Sequence, residues 1–176
     1  MNRKVKGGVP AKGGAPALGV LLLALLLLAV GCGGGKSSSK GVLNFTLKNL
    51  DGDNVQLNKF QGKVVILDVW DTWCPPCRKG IPELVQLYGQ YRNRGLEVVG
   101  IALAQRGLNE VKQFVNDNNV TYTTLIAEPV IYDIFGKIGA IPTTFVIDTK
   151  GRILKKHVGY TAKDVFELEI KDILPD

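Results

Sequence analysis

Two thiols, Cys74 and Cys77, enclose Pro75 and Pro76 and directly follow Trp73. Before them runs the β-branched apolar stretch Lys63 to Trp70, and after them Ile81, Leu84, Val85, Leu87 and Tyr88 recur on one side of a helical pattern. A C-x-x-C pair at the junction of a strand and a helix is a redox signature. The first cysteine lies at the helix start, where unpaired N–H groups and the positive end of the dipole stabilise a thiolate. A thiol pKa near 8.5 falls to about 3.5–7.5 in such settings, and the thiolate is the species that attacks a disulfide. Two intervening residues let the sulfurs meet within one turn, so Cys74 reads as the exposed nucleophile and Cys77 as the resolving thiol. Pro75 and Pro76 cost little in a first turn, whose N–H groups have no helical acceptor. Together with a half-exposed Trp73 they form a surface for docking clients, whereas Trp70 belongs to the core.

Two other uses of the pair fit less well. A zinc site needs four ligands, yet the third and last cysteine is Cys32 and the only histidine is His157, far along the chain. A structural disulfide across so short a loop restricts the unfolded chain little. Asp68, set among Val, Ile, Leu and Trp, is expected to be buried, and burial raises a carboxyl pKa. Asp71, at the strand end, is expected to reach water. Ile141-Pro142 precedes another apolar run, and sequence alone favours an ordinary trans turn there.

The elements that must hold these residues follow from the pattern. Residues 43–47 and 55–58 flank Asp51-Gly52-Asp53 as a β-hairpin. The run 63–70 lacks alternation and reads as a strand buried on both faces. A helix over 75–93 and a strand over 96–103 complete a βαβ unit. A helix over 109–118, a strand over 123–126 and a helix over 130–135 come next. Strands over 143–148 and 152–158 are joined by Thr149-Lys150-Gly151, and a last helix opens at Thr161, whose hydroxyl caps it. This order gives an α/β fold, a central mixed sheet with helices on both faces and an N-terminal hairpin.

The net charge of +6 belongs to the N-terminal region. Residues 1–40 carry six bases and no acid, leaving 16 bases and 16 acids in residues 41–176, so the basic pI is no sign of nucleic-acid binding. Residues 1–31 read as a signal peptide, with a basic start and an apolar run from Ala17 to Val30. The run ends in Ala29-Val30-Gly31-Cys32, which resembles the lipobox of bacterial lipoproteins and implies acylation of Cys32, the cysteine otherwise left without a partner. Residues 32–41 form a flexible Gly/Ser tether with a reach of roughly 15 Å. Residues 42–176 are the folded domain, expected on the outward face of a membrane.

The runs Val64 to Cys77, Pro82-Glu83-Leu84 and Ile141 to Asp148 resemble the thioredoxin superfamily, and more closely its membrane-tethered extracytoplasmic branch, the thiol-disulfide oxidoreductases of cytochrome c maturation and related reductive pathways. The resemblance covers residues 43–176. It implies a thioredoxin-like fold, a cis Ile141-Pro142 bond beside the dithiol, and a free Ile141 backbone on which a client strand docks. It gives Asp68 the part of the buried carboxylate that moves protons to and from the resolving thiol, here without a lysine on the neighbouring strand. It implies no cofactor beyond the Cys74–Cys77 disulfide, a membrane thiol donor, and oxidised protein clients such as apocytochrome c. Cytochrome-maturation members carry Glu three residues after the second cysteine and this chain has Gly80, so that client is left open. Glu83 is expected on the surface or in a cap, and Pro82 as the proline inside the helix.

Two rival functions share some of these features. A peroxiredoxin-like peroxidase has a similar opening around residues 45–63, but places a single reactive cysteine in a Thr-rich loop. A copper-delivery protein would use the two soft thiolates and one more ligand. His157, expected to be an exposed strand histidine, follows the Val146-Ile147-Asp148 strand, whereas copper-carrying relatives place theirs before it.

Overall fold

A computed structural model describes residues 41–175. The stretch expected to be a signal peptide, Cys32 and nearly all of the stretch expected to be a tether lie outside the described residues. The chain forms β1 (Thr46–Asn49), β2 (Asn54–Gln56), β3 (Val64–Trp70), α1 (Pro75–Tyr91), β4 (Leu96–Ala102), α2 (Leu108–Asp117), β5 (Thr123–Ile126), α3 (Val130–Phe135), β6 (Thr143–Ile147), β7 (Ile153–Val158) and α4 (Lys163–Lys171). The strands make one seven-stranded mixed sheet in the order β2-β1-β5-β4-β3-β6-β7. Among the described residues no helix is long and apolar enough to cross a membrane.

All seven residues of β3 are buried, because β4 pairs parallel on one side, β6 antiparallel on the other, and both faces are covered. Side chains alternate along a strand. Val65, Leu67 and Val69 therefore join Phe45, Leu57, Ile131 and Phe145 on one face. Val64 and Ile66 meet Leu84 and Leu87 of α1 and Phe166 and Ile170 of α4 on the other, where Trp70 packs against Phe114 of α2. Asp68 shares this second face by the same alternation. In register beside it on β4 is Gly100. A Cβ there would lie 2.9 Å from the indole nitrogen of Trp70 and 3.1 Å from the Tyr122 ring, so the two aromatics fill the place of a side chain.

The hairpin, the central βαβ unit and the helices on both faces agree with expectation, with differences at the ends. Residues 43–45 are not strand: β1 begins at Thr46 opposite Gln56, where its partner ends. Leu57 and Asn58 leave the sheet for a 3-10 turn, Leu57–Phe60, which buries Leu57 and Phe60. Gly41 is not free tether, since it lies against Gly151, where a Cβ would sit 2.8 Å from backbone, and Val42 N–H donates to the Gly151 carbonyl at 2.9 Å. Thr161 does not cap the last helix, which starts at Lys163 with no side-chain cap from Ala162. Its first N–H instead donates to the Glu83 carboxylate of α1 at 2.7 Å.

Filling the space at Gly100 should be costly, because the neighbours are buried rings with no room to withdraw. Gly100→Ala is expected to destabilise the protein by roughly 1–3 kcal/mol, the usual penalty for overpacking a core. Chemical denaturation measures it; a variant as stable as wild type would show that the rings yield.

Candidate active site

Cys74 and Cys77 are joined in a disulfide at the start of α1. Cys74 is the N-cap, with extended backbone, and its Sγ accepts the Cys77 N–H at 3.2 Å. The first sulfur thus sits on an unpaired donor of a helix N-terminus, the setting that favours a thiolate. Expectation placed Cys74 in the open, yet it is only 2 % exposed. Access comes through a groove of about 320 Å³ lined by Cys74, Trp73, Pro75, Pro76, Leu103 and Ile141. Trp73 is 40 % exposed, while Trp70 is fully buried in the core. The Ile141-Pro142 bond is cis, as the resemblance implies. The Ile141 carbonyl oxygen lies 3.6 Å from Cys74 Sγ. Pro142, expected at the client surface, lines a different space, a cavity of about 10 Å³ behind the disulfide shared with Cys77, Asp68, Glu83, Thr144 and Tyr160. Cys74 and Cys77 accordingly face two compartments, one open to clients and one toward a carboxyl.

Asp68 is 2 % exposed. Its Oδ1 accepts the Thr144 hydroxyl at 2.7 Å, a contact set by the antiparallel pairing of Asp68 with Thr144. Burial raises its pKa to about 6, opposed in part by the Thr144 hydrogen bond. Among the described residues no base compensates the charge, for β4 offers Gly100 at that register. The Tyr122 phenol is pushed well up by burial and then by the Asp68 charge. A carboxyl that titrates near neutrality beside the resolving thiol is suited to take its proton when Cys77 attacks and to return it when the disulfide is reduced.

Several supporting residues give weak sequence signals. Asp71 is fully buried and does not reach water, because its carboxylate is used to fasten two loops: Oδ1 accepts Thr72 N–H at 2.7 Å and Oδ2 accepts Gln105 N–H at 3.1 Å. Arg78 donates to the Thr72 carbonyl at 3.2 Å and stacks over Phe114 at 5.2 Å, tying the approach to the dithiol to α2. Leu103 and Gln105 complete the groove from the loop after β4, where no motif marks them. His157 is not a free strand histidine: it lies 3.0 Å from Glu169 and edge-on to Phe166. Among the described residues no three His, Cys, Asp or Glu side chains form a group that would hold a metal ion.

Fold and site together define a thiol-disulfide oxidoreductase with a thioredoxin-like fold. The sequence matches the AhpC/TSA family over residues 39–156, and the chain belongs to that family. It is 32% identical over 135 residues to thiol-disulfide oxidoreductase ResA of Halalkalibacterium halodurans, covering 76% of each chain. Among solved structures it is similar to a thiol:disulfide interchange protein of the thioredoxin family from Chlorobium tepidum TLS, with 34% identity, TM-score 0.69, and coverage of 74% of this chain and 93% of that one. A putative thiol:disulfide interchange protein DsbE from Chlorobium tepidum gives TM-score 0.69 at 28% identity, covering 77% of this chain and 96% of that one.

The raised pKa has a thermodynamic sign. The folded protein holds the Asp68 proton more tightly than the unfolded chain, so this group's contribution is full below about pH 4 and is lost as pH rises through 6. The loss is of order 3 kcal/mol. Denaturation of the oxidised protein between pH 4 and 8 should show wild type losing roughly that much relative to Asp68→Asn. A gap between the two that is constant with pH would contradict the raised pKa.

Proposed function

We propose that this protein is a membrane-anchored, extracytoplasmic reductant of protein disulfides. The observation that carries the reading is the pairing of a Cys74 that lines the groove with a Cys77 that shares a small cavity with Asp68. Cys74 thiolate attacks an oxidised client to give a mixed disulfide. Cys77, deprotonated by Asp68, then attacks Cys74 and releases the reduced client. The client lies in the groove beside Trp73, Pro75 and Pro76, with its backbone toward Ile141, as extended peptides add to strand edges.

Three features support the reducing direction. An anionic Asp68 without a counter-cation opposes thiolate charge at Cys77 and so favours giving electrons away. Prolines between the cysteines stiffen the turn and hold the sulfurs together. Residues 1–31 read as an export signal, and an exported dithiol in a compartment where disulfides persist needs continual re-reduction. A membrane thiol donor is the simplest source, and acylation at Cys32 with a short tether keeps the domain within its reach. Apocytochrome c is one client that the branch resemblance implies.

Cells expressing Cys77→Ser should accumulate mixed disulfides through Cys74 in the membrane fraction, identified by non-reducing separation and mass spectrometry. In wild-type cells, acid trapping and alkylation should find Cys74 and Cys77 mainly as thiols, shifting to the disulfide when membrane thiol donors are removed. A pool that is mostly disulfide and indifferent to donor loss would make the protein an oxidase or isomerase.

A further inference from the structure

Asp68 is sealed from solvent, so a proton it takes from Cys77 needs a way out. Glu83 lines the same cavity as Asp68 and Cys77, and it is only partly buried. Two hydrogen bonds fix its carboxylate: Oε1 accepts the Tyr160 hydroxyl at 2.6 Å and Oε2 accepts Lys163 N–H at 2.7 Å. Tyr160 also lines the cavity, and its ring packs over Gly80, where a Cβ would lie 3.7 Å away. Position 80 thus contributes no carboxylate to this cavity, and Glu83 is the second one present. At about 10 Å³ the cavity is near the size that admits a single water, which would bridge groups that line it.

We propose that Glu83, oriented by Tyr160, is the positioning residue that carries the Asp68 proton between the buried site and solvent. The inference rests on the proton-transfer part assigned to Asp68. In the resolving step Asp68 carboxylate takes the Cys77 proton. The Cys77–Cys74 bond forms as the Cys74–client bond breaks, and the electron pair leaves on the client sulfur, which is protonated from solvent. Asp68 then passes its proton to the Glu83 carboxylate, which releases it to water, and the membrane thiol donor later restores the dithiol with the reverse proton movement. The charged and titratable groups around Glu83 are Lys79 of α1, whose ammonium sits 3.9 Å from the centre of the Tyr160 ring, Tyr160 itself, and Lys163 and Asp164 at the start of α4. From the sheet side they are Asp68 and, at the helix start, Cys77.

The test compares full-length wild type, Glu83→Gln, Asp68→Asn and the double variant in stopped-flow reduction of a model protein disulfide from pH 5 to 9. Cys74 alkylation is followed in parallel. Positioned acid–base groups contribute on the order of 100-fold or more, and a relay behind one contributes less. Glu83→Gln should slow the Cys77-dependent step about tenfold with an altered pH profile, leave Cys74 alkylation unchanged, and add nothing to Asp68→Asn. Tyr160→Phe keeps both the carboxylate and the cap of α4, and should change the same profile; it carries the test if Glu83→Gln does not fold. Slow Asp68→Asn with wild-type Glu83→Gln, an additive double variant, or an unchanged profile in Tyr160→Phe would each overturn the relay while leaving Asp68 its part. Wild-type rates in Asp68→Asn would remove both.

Discussion

One ionisable group in an apolar strand governs how this molecule is put together around its dithiol. Asp68 stands in the row Val64, Ile66, Trp70 of β3, on the face covered by α1 and α4, and burial alone would exclude its charge. A single hydroxyl, that of Thr144, answers it from the antiparallel neighbour. The result is a carboxyl whose pKa lies near 6, close enough to neutrality to gain and lose a proton. The rest of the architecture serves this placement: β4 and β6 bury the strand, α1 brings Cys77 to the cavity, and the segment from Tyr160 to α4 closes its outer side.

The two sulfurs acquire different chemistry from a few ångströms of difference in setting. Cys74 meets a helix N–H and an apolar groove; Cys77 meets the small cavity that Asp68 lines. Buried Asp71 and the stacked Arg78 fix the loop between β3 and α1, so that the groove keeps its wall of Trp73 and prolines. Membership of the AhpC/TSA family agrees with the hairpin opening around residues 45–63, while the paired cysteines set this chain among the disulfide-exchanging relatives.

What could be read from sequence was whatever local pattern encodes. The unbroken apolar run of β3 announced a doubly covered strand, the C-x-x-C pair its chemistry, and an aspartate inside that run its own burial. What could not be read depended on registers and on contacts across elements. Thr144 reaches Asp68 only because β6 pairs with β3 in that register, and Glu83 caps α4 from another helix, 80 residues earlier in sequence. Asp71 departs from its strand-end pattern because a carboxylate there normally finds water, whereas here two backbone N–H groups replace it. Thr161 has the right type and spacing for a cap, but the helix begins two residues later and takes its acceptor from Glu83.

The most direct measurement is the titration of the Asp68 side-chain carboxyl itself, followed by carbon NMR in the oxidised protein. A midpoint near pH 6 is predicted, well above that of an exposed aspartate. A midpoint near 4 would contradict it, leaving the carboxylate too weak a base to hold the Cys77 proton.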